Sequence, residues 1–210
     1  MGGRRLTSLV SNDPLTKSAL RARYRTLRRG LSRTERQSCT AELNRHLLAN
    51  PSVTGAETVA GYLAFDDEPD LRFTLTQLCR RGIRVVVPLV PPQQEEPLAF
   101  RVWTPATPLK TNRHGVSEPI GSGLVSLAHI DVVLMPLVAW DRSGSRIGMG
   151  AGWYDRTLAG CDERPLRFGV GWSLQEAEAL PSDPWDVPLH AVVTEQGWFT
   201  CHPRPPTIGA

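Results

Sequence analysis

One apolar run in the second half of the chain constrains the fold more than any other feature. From Ile130 to Val138 it reads Ile-Asp-Val-Val-Leu-Met-Pro-Leu-Val, and it is apolar at nearly every position. A strand built from it would expose apolar side chains on both faces, so both faces need a cover. Such strands are typical of parallel or mixed sheets that lie between two layers of helices. The run therefore predicts the central strand of an α/β domain.

The N-terminal part of the chain predicts an amphipathic helix with a cationic face. An N-cap at Asn12 or Asp13, Pro14 in the first turn and Gly30 at the end give its expected bounds. One stripe is apolar and is predicted to face the core, and it comprises Leu20, Tyr24 and Leu27. A second stripe is cationic, with spacings of four, four and three, and it comprises Lys17, Arg21, Arg25 and Arg28.

Capping signals and short apolar runs alternate through the rest of the chain. Ser32 and Glu35 have capping-box spacing and open a second helix that ends near Pro51. Further helices are predicted between residues 69 and 82 and over 174–180. The other predicted strands cover residues 58–65, 83–88, 98–103, 166–172 and 190–194, with the one at 98–103 antiparallel.

This alternation predicts a single domain of the α/β class. We expect a three-layer α/β/α domain over residues 15–200, with a mixed, largely parallel sheet. A flexible basic segment at residues 1–14 and a tail at residues 201–210 would flank it. Functional side chains are expected in the loops at the carboxyl ends of the parallel strands.

The composition argues against several classes of protein. The chain is 40% hydrophobic and 21% charged, as globular proteins are, and no stretch approaches the roughly 18 apolar residues of a membrane span. Its start lacks the apolar region of a secretory signal. The four cysteines are widely separated and form no CxxC pair, which argues against a zinc cage or a redox motif. We therefore expect a cytoplasmic protein without a membrane partner.

Basic residues are concentrated at the N-terminus. Residues 1–36 contain ten Lys and Arg but only two acidic residues, whereas the whole chain has a net charge of +3. A basic arm can bind nucleic acid. This one falls on a predicted helix and has no interleaved aromatic side chain beyond Tyr24, so nucleic-acid binding is not favoured.

A glycine-rich segment follows the predicted central strand. From Arg146 to Asp155 it reads Arg-Ile-Gly-Met-Gly-Ala-Gly-Trp-Tyr-Asp, with a glycine at every second position from 148 to 152. Glycines let backbone N–H groups converge on an oxyanion, and the next helix adds the positive end of its dipole. The segment lacks the Gly-Lys-Ser/Thr of a Walker A loop and the spacing of a dinucleotide fingerprint. It predicts a phosphate cradle of another type.

This segment resembles the signature of the 5-formyltetrahydrofolate cyclo-ligase family, and the resemblance extends over residues 15 to 199. Other stretches similar to the family are Lys17–Arg21, Tyr62–Glu68, His114–Pro119, Trp185–Pro188 and Val192–Glu195. The resemblance implies a scaffold like that of sugar isomerases and CoA transferases. It also implies ATP-dependent conversion of 5-formyltetrahydrofolate to 5,10-methenyltetrahydrofolate, with ATP as co-substrate, Mg²⁺ as cofactor, and a monomer or weak homodimer.

The resemblance also implies roles for individual residues. Arg146 and Lys17 would be catalytic, while Asp155 and Asp186 would hold the metal. The ATP site would comprise Lys17, Ser18, Arg21, Arg146, Ile147, Gly148, Met149, Gly150, Ala151, Gly152, Trp153 and Tyr154. The folate site would comprise Leu63, Glu68, Met149, Gly150, Ala151, Gly152 and Trp153. The sequence departs from the usual family pattern at His114, Met149, Ala151, Trp153, Trp185 and His190.

Local patterns alone leave structural roles open for these residues. Lys17 and Arg21 also suit a solvated helix face, and Leu63 suits a core position. Asp155 suits the start of a helix, and Asp186 suits a turn. Two other functions are also compatible with the chain: another phosphate- or CoA-handling enzyme on the same scaffold, and an RNA-associated regulatory protein.

Overall fold

The computed structural model describes residues 16–121 and 123–202. The helices in these ranges are α1 (Lys17–Arg29), α2 (Arg33–Ala49), α3 (Pro51–Thr54), α4 (Arg72–Arg80) and α5 (Trp153–Leu158), with 3-10 turns at Leu127–His129 and Ser173–Gln175. The strands are β1 (Thr58–Ala60), β2 (Arg84–Leu89), β3 (Ala99–Val102), β4 (Leu109–Thr111), β5 (Ser117–Pro119), β6 (Leu124–Val125), β7 (Val132–Pro136), β8 (Ala139–Trp140), β9 (Arg146–Ile147), β10 (Leu166–Val170), β11 (Ala191–Thr194) and β12 (Gly197–Thr200). The predicted segment 1–14, with its cap candidates and Pro14, lies outside the described residues, as does most of the tail.

Eight strands form one mixed sheet in the order β12-β11-β10-β7-β1-β2-β3-β6. The five consecutive strands from β11 to β2 are parallel to their neighbours, whereas β12, β3 and β6 are antiparallel. The predicted central strand is β7, between β10 and β1, and it is buried along most of its length. The α/β class and the largely parallel sheet are therefore confirmed.

Helices cover both faces of the sheet. Leu43 and Leu47 of α2 and Leu75 and Leu78 of α4 pack on one face. On the other face, Leu158 of α5 packs with strand residues such as Val133. No helix of the described residues combines the length and the apolar character that a membrane crossing requires.

Helix α1 begins and packs differently from the prediction. It begins at Lys17, and the Thr16 hydroxyl caps it by accepting a hydrogen bond from the Ala19 N–H at 3.2 Å. Leu27 is 45% exposed, so its predicted core position is wrong. Arg28 takes the inner position instead and is 1% exposed, because it continues the i, i+4 stripe of Leu20 and Tyr24.

Two other predicted elements are shorter in the structure. The predicted strand 58–65 ends at Ala60, although Tyr62 and Leu63 remain buried in the core beyond its end. Their apolar character reflects burial and not strand pairing. The predicted helix 174–180 is only the 3-10 turn Ser173–Gln175.

Candidate functional site

The glycine-rich loop connects β9 to α5 and bends at two glycines. Gly150 and Gly152 have φ of 107° and 67°, which favour glycine. A Cβ on Gly150 would lie 3.5 Å from the Arg21 guanidinium, and Gly152 is the N-cap of α5. Ala151 has no positive φ, so its departure from the family pattern causes no left-handed strain.

The cationic face of α1 lies against this loop. Leu20 and Tyr24 anchor the helix in a cluster that includes Ile147 of β9. The Arg21 Nε donates to the Gly148 carbonyl at 2.9 Å. The Lys17 ammonium bridges Asp183 at 2.7 Å and Asp186 at 2.5 Å. Two segments that lie far apart in sequence therefore meet at the first turns of α1.

Arg146 and Asp155 form a second ion pair beside the first. Arg146 Nη2 lies 2.6 Å from Asp155 Oδ1, and the Arg146 side chain is only 6% exposed. The same Asp155 oxygen accepts the Val187 N–H at 3.1 Å, while Arg146 donates to the Val187 carbonyl. Asp155 therefore lies next to the chain segment that carries Asp186.

The two cations are charged in this arrangement, and each neutralises carboxylates. Burial alone would lower the pKa of Lys17, but the hydrogen bonds and charges of Asp183 and Asp186 outweigh burial and raise it. Asp183 was not recognised from the sequence. Its signal was the three-residue spacing to Asp186, whose Oδ2 accepts the Asp183 N–H at 2.8 Å.

The acidic loop after β1 forms a tight turn against α1. Asp66 and Asp67 have φ of 48° and 63°, a left-handed conformation that aspartate tolerates better than most residues. The Glu68 carboxylate folds back and accepts the Phe65 N–H at 3.0 Å. The cations of α1 that hold Asp66 were not assigned to the site from the sequence, because their partner lies about 40 residues away.

Glu68 is in surroundings that favour its neutral form. Burial away from water raises the pKa of this carboxyl to about 7, against the opposing effects of the Phe65 N–H and the Arg28 charge. Burial and the Glu68 charge also raise the pKa of Tyr154, the second residue of α5.

The remaining predicted residues occupy different positions. Leu63 and Ile147 are buried in the core, whereas Ser18 and Met149 are exposed. Trp153 is half-buried, and its ring makes an edge contact with His114 at 5.5 Å between centroids. His114 comes from the turn of the β4–β5 hairpin, where a Cβ on Gly115 would lie 3.1 Å from Phe65. This hairpin, which was not predicted, extends the wall of the site.

Two of the predicted functional carboxylates fit a hard cation. Asp155 and Asp186 supply oxygen donors at neighbouring positions, and Mg²⁺ usually takes one or two carboxylates with water and phosphate oxygens. Within the described ranges, no group of three or more His, Cys, Asp or Glu side chains is arranged to hold a metal. A closed protein cage for a metal is therefore absent from that part of the chain.

The fold and the loop define a class of α/β protein in which a glycine-rich loop follows the central strand of a largely parallel sheet. A model of the 5-formyltetrahydrofolate cyclo-ligase family matches residues 14–195. The chain is 37% identical to the 5-formyltetrahydrofolate cyclo-ligase of Escherichia coli K12 over 170 residues, which cover 80% of this chain and 93% of that protein. It is 30% identical over 180 residues to the enzyme of Haemophilus influenzae, covering 84% and 96% of the two chains.

A solved structure agrees with these sequence relatives. The 5,10-methenyltetrahydrofolate synthetase of Aquifex aeolicus superposes with a TM-score of 0.78 at 28% identity, covering 93% of this chain and 97% of that one. The chain belongs to the 5-formyltetrahydrofolate cyclo-ligase family, which is a family of ligases. The resemblance seen in the sequence is therefore confirmed.

Proposed function

We propose that the protein uses ATP to convert 5-formyltetrahydrofolate into 5,10-methenyltetrahydrofolate, with release of ADP and phosphate. The observation that supports this most directly is the cationic face of α1 beside the glycine-rich loop: Arg21 contacts the Gly148 carbonyl, and Lys17 and Arg146 pair with Asp186 and Asp155. The turn that carries Glu68 adjoins the β4–β5 hairpin, which contacts Trp153 at the end of the loop. The cations suit a nucleotide phosphate, and the carboxyl suits the N–H groups of a pterin ring.

The chemistry requires activation of a poor leaving group. The formyl oxygen attacks the γ-phosphorus of ATP, and the bond to the ADP oxygen breaks. The folate N10 then attacks the formyl carbon and loses its proton, and the C–O bond breaks as phosphate departs. Phosphoryl transfer depends mainly on positioning and on neutralising charge, which Lys17, Arg146 and the loop N–H groups would provide.

Exchange of ion pairs would accompany nucleotide binding. In the structure the two catalytic cations are paired with the same carboxylates that are proposed to hold the metal. Bound Mg²⁺ would neutralise phosphate charge, with Asp155 and Asp186 as its protein ligands. Lys17 and Arg146 would then be free to turn toward the phosphate oxygens, so cations and carboxylates change partners together.

The folate is proposed to lie between the acidic loop and the hairpin. Glu68 would accept hydrogen bonds from the pterin, beside the buried Leu63 and the loop residues 149–153. The half-buried Trp153 and the exposed Phe65 offer apolar surface there. We also propose that the protein acts in the cytoplasm, where ATP and reduced folates are available; a monomer or weak homodimer stays a prediction.

The rival functions make different predictions. An RNA-associated protein would use the cations of α1, but four of the six, Lys17, Arg25, Arg28 and Arg29, are paired with aspartates. Another enzyme on the same scaffold would not need both ATP and the folate. The folate reaction is therefore the best-supported candidate.

The direct test is the near-ultraviolet absorbance of methenyltetrahydrofolate. Purified protein is mixed with 5-formyltetrahydrofolate, ATP and Mg²⁺, and each component is omitted in turn. We expect the absorbance to rise only when all three are present. A flat trace from folded protein that binds ATP would refute the folate reaction and favour another acceptor on this scaffold.

A further inference from the structure

The turn that carries Glu68 is held by an arginine clamp, which we define as Asp66 with Arg25, Arg28 and Arg29. Asp66 Oδ2 accepts from Arg25 Nε and from Arg28 Nη2, each at 2.9 Å, and Asp66 Oδ1 accepts from Arg29 Nη2 at 2.5 Å. The Asp66 side chain is only 11% exposed. Three guanidinium groups from one helix thus converge on one carboxylate.

The clamp has a buried centre and a more exposed edge. Arg28 is 1% exposed, and a buried cation requires a hydrogen-bonded counter-charge. Burial acts to raise the pKa of Asp66, but hydrogen bonds from Arg29 and Arg25 outweigh it, so the pKa lies below its usual value. Asp66 is therefore ionised at neutral pH, and the clamp keeps its charges.

The clamp fixes the turn two residues before the proposed folate ligand. The Glu68 N–H donates to the Phe65 carbonyl at 3.1 Å, and the Phe65 N–H donates to Glu68 Oε2. Asp66 lies inside this closed turn in a left-handed conformation, and the clamp holds its side chain against α1. Without the clamp, the turn would be more mobile, and the Glu68 carboxylate would no longer keep one position relative to a bound pterin ring.

The same helix carries the nucleotide contacts at its other end. Lys17 and Arg21 lie in the first turns of α1, where Lys17 pairs with Asp186 and Arg21 donates to the loop carbonyl of Gly148, while the clamp arginines lie in its last turns. A helix moves as a rigid element, so its two ends keep their separation. Helix α1 therefore contacts both the turn that carries Glu68 and the glycine-rich loop, and it fixes the position of one relative to the other.

We propose that Asp66, through the guanidinium groups of α1, is a positioning residue that aligns Glu68 with the nucleotide loop for the folate reaction. This inference rests on the proposed function. Asp66 does not touch the reacting atoms. It acts by holding the turn, in the way that remote positioning groups raise the fraction of productive geometries.

The test compares Asp66→Asn with Asp67→Asn. Asp67 is the neighbouring left-handed residue, and it pairs with Arg36 of α2 instead of α1. For Asp66→Asn we expect the KM for 5-formyltetrahydrofolate to rise about tenfold while the KM for ATP changes less than about twofold. Asp67→Asn leaves the clamp intact, so the folate KM should rise less than it does in Asp66→Asn.

Arg25→Gln tests the clamp in a second variant, in case Asp66→Asn does not fold. It removes a half-exposed arm of the clamp and leaves the buried Arg28 paired, so the protein should fold and show a smaller rise in the folate KM. Arg45→Gln breaks an exposed ion pair with Glu42 far from the clamp and should leave both KM values unchanged.

A pH profile separates positioning from general loss of stability. The groups that shift the pKa of Glu68 are the Phe65 N–H and Asp66 on its own turn and Arg28 on α1, and the Glu68 charge in turn raises the pKa of Tyr62 and of Tyr154. Removing the Asp66 charge should shift the acid limb of kcat/KM for the folate to lower pH. Loss of stability alone leaves the charges around Glu68 unchanged and would keep the limb in place, whereas the split between the folate and ATP KM values reports the alignment.

The outcomes distinguish failure of the positioning role of Asp66 from failure of the proposed folate reaction. An inactive wild-type protein would refute the proposed function and the inference with it. An active wild type with an unchanged folate KM in both Asp66→Asn and Arg25→Gln would overturn only the inference. Equal rises in the KM values for folate and ATP would overturn it too, because they would show a loss of structure common to both subsites.

Discussion

At the scale of single residues, the Glu68 carboxyl combines burial with a proposed role as hydrogen-bond acceptor. Its pKa of about 7 means that acidification below neutrality protonates it in the folded protein. The protonated form accepts fewer hydrogen bonds from a pterin. We expect kcat/KM for the folate to fall as the pH drops below about 7, with little change in the KM for ATP, as steady-state kinetics across pH 5.5–8.5 would measure.

Replacement of Glu68 separates this function from stability. Glu68→Gln should raise the folate KM by about tenfold or more and abolish the acid limb, because the amide does not titrate. The folded-state pKa lies above the unfolded value, so ionisation of Glu68 costs stability as the pH rises from about 4.5 to about 7. The variant should therefore melt no lower than wild type at pH 8. A lower melting temperature there would contradict the conclusion that burial destabilises the Glu68 carboxylate.

Asp155 offers the corresponding test at the proposed metal site. Asp155→Asn keeps an oxygen that can accept from Arg146 and from the Val187 N–H, so the fold should persist. We expect turnover to fall about a hundredfold or more, and a Mg²⁺ titration should fail to restore it. Circular dichroism provides the folding control, and wild-type activity in this variant would refute the metal assignment.

At the scale of elements, α1 and α2 offer a matched pair of helix caps. Thr16 caps α1, and the Ser32–Glu35 capping box begins α2. Thr16→Ala and Ser32→Ala should each cost about 1 kcal/mol of unfolding free energy. Only Thr16→Ala should raise the KM for ATP, because fraying there displaces Lys17. Chemical denaturation of both variants measures the loss of stability, and steady-state kinetics measures the KM for ATP. Equal KM values for ATP in Thr16→Ala and Ser32→Ala would exclude α1 as the helix that contacts the nucleotide.

The helices and strands also show which sequence patterns are sufficient to predict an element. The Ser32–Glu35 box and the doubly buried strand β7 were predicted because each depends on residues close together in the chain. Arg28 was placed on a cationic face without its partner, since its burial depends on Asp66, 38 residues away. Residues 61–65 were predicted as strand because apolar character reports burial, whereas pairing depends on neighbouring strands that the sequence does not specify.

The candidate site could be predicted only where a motif carries it. The glycine-rich loop, Lys17, Arg21 and Asp186 were named from sequence, and the structure brings them together. The pairing of each proposed phosphate ligand with a proposed metal ligand was not foreseen. Such pairings depend on long-range packing of α1 and of residues 183–187 against the loop, for which no local pattern exists.

At the scale of the whole molecule, the site joins segments from opposite ends of the chain. Lys17 lies on the first described helix, the loop lies in the second half, and Asp186 comes 169 residues after Lys17. A ligand that contacts all three segments binds the folded state alone and must stabilise it against global unfolding. At a concentration about 100 times its Kd, such a ligand adds about 2.7 kcal/mol.

This linkage gives a prediction for thermal unfolding. For a chain of 210 residues, Mg²⁺ with ATP should raise the melting temperature by roughly 5–10 °C. ATP in excess chelator should raise it much less, because Asp155 and Asp186 then face the phosphates without a cation between them. Adenosine with Mg²⁺ should leave it nearly unchanged. Asp186→Asn removes one of these charges, so it should reduce the difference between the melting temperatures measured with ATP in the presence and in the absence of Mg²⁺. An unaltered difference would show that the metal is held elsewhere.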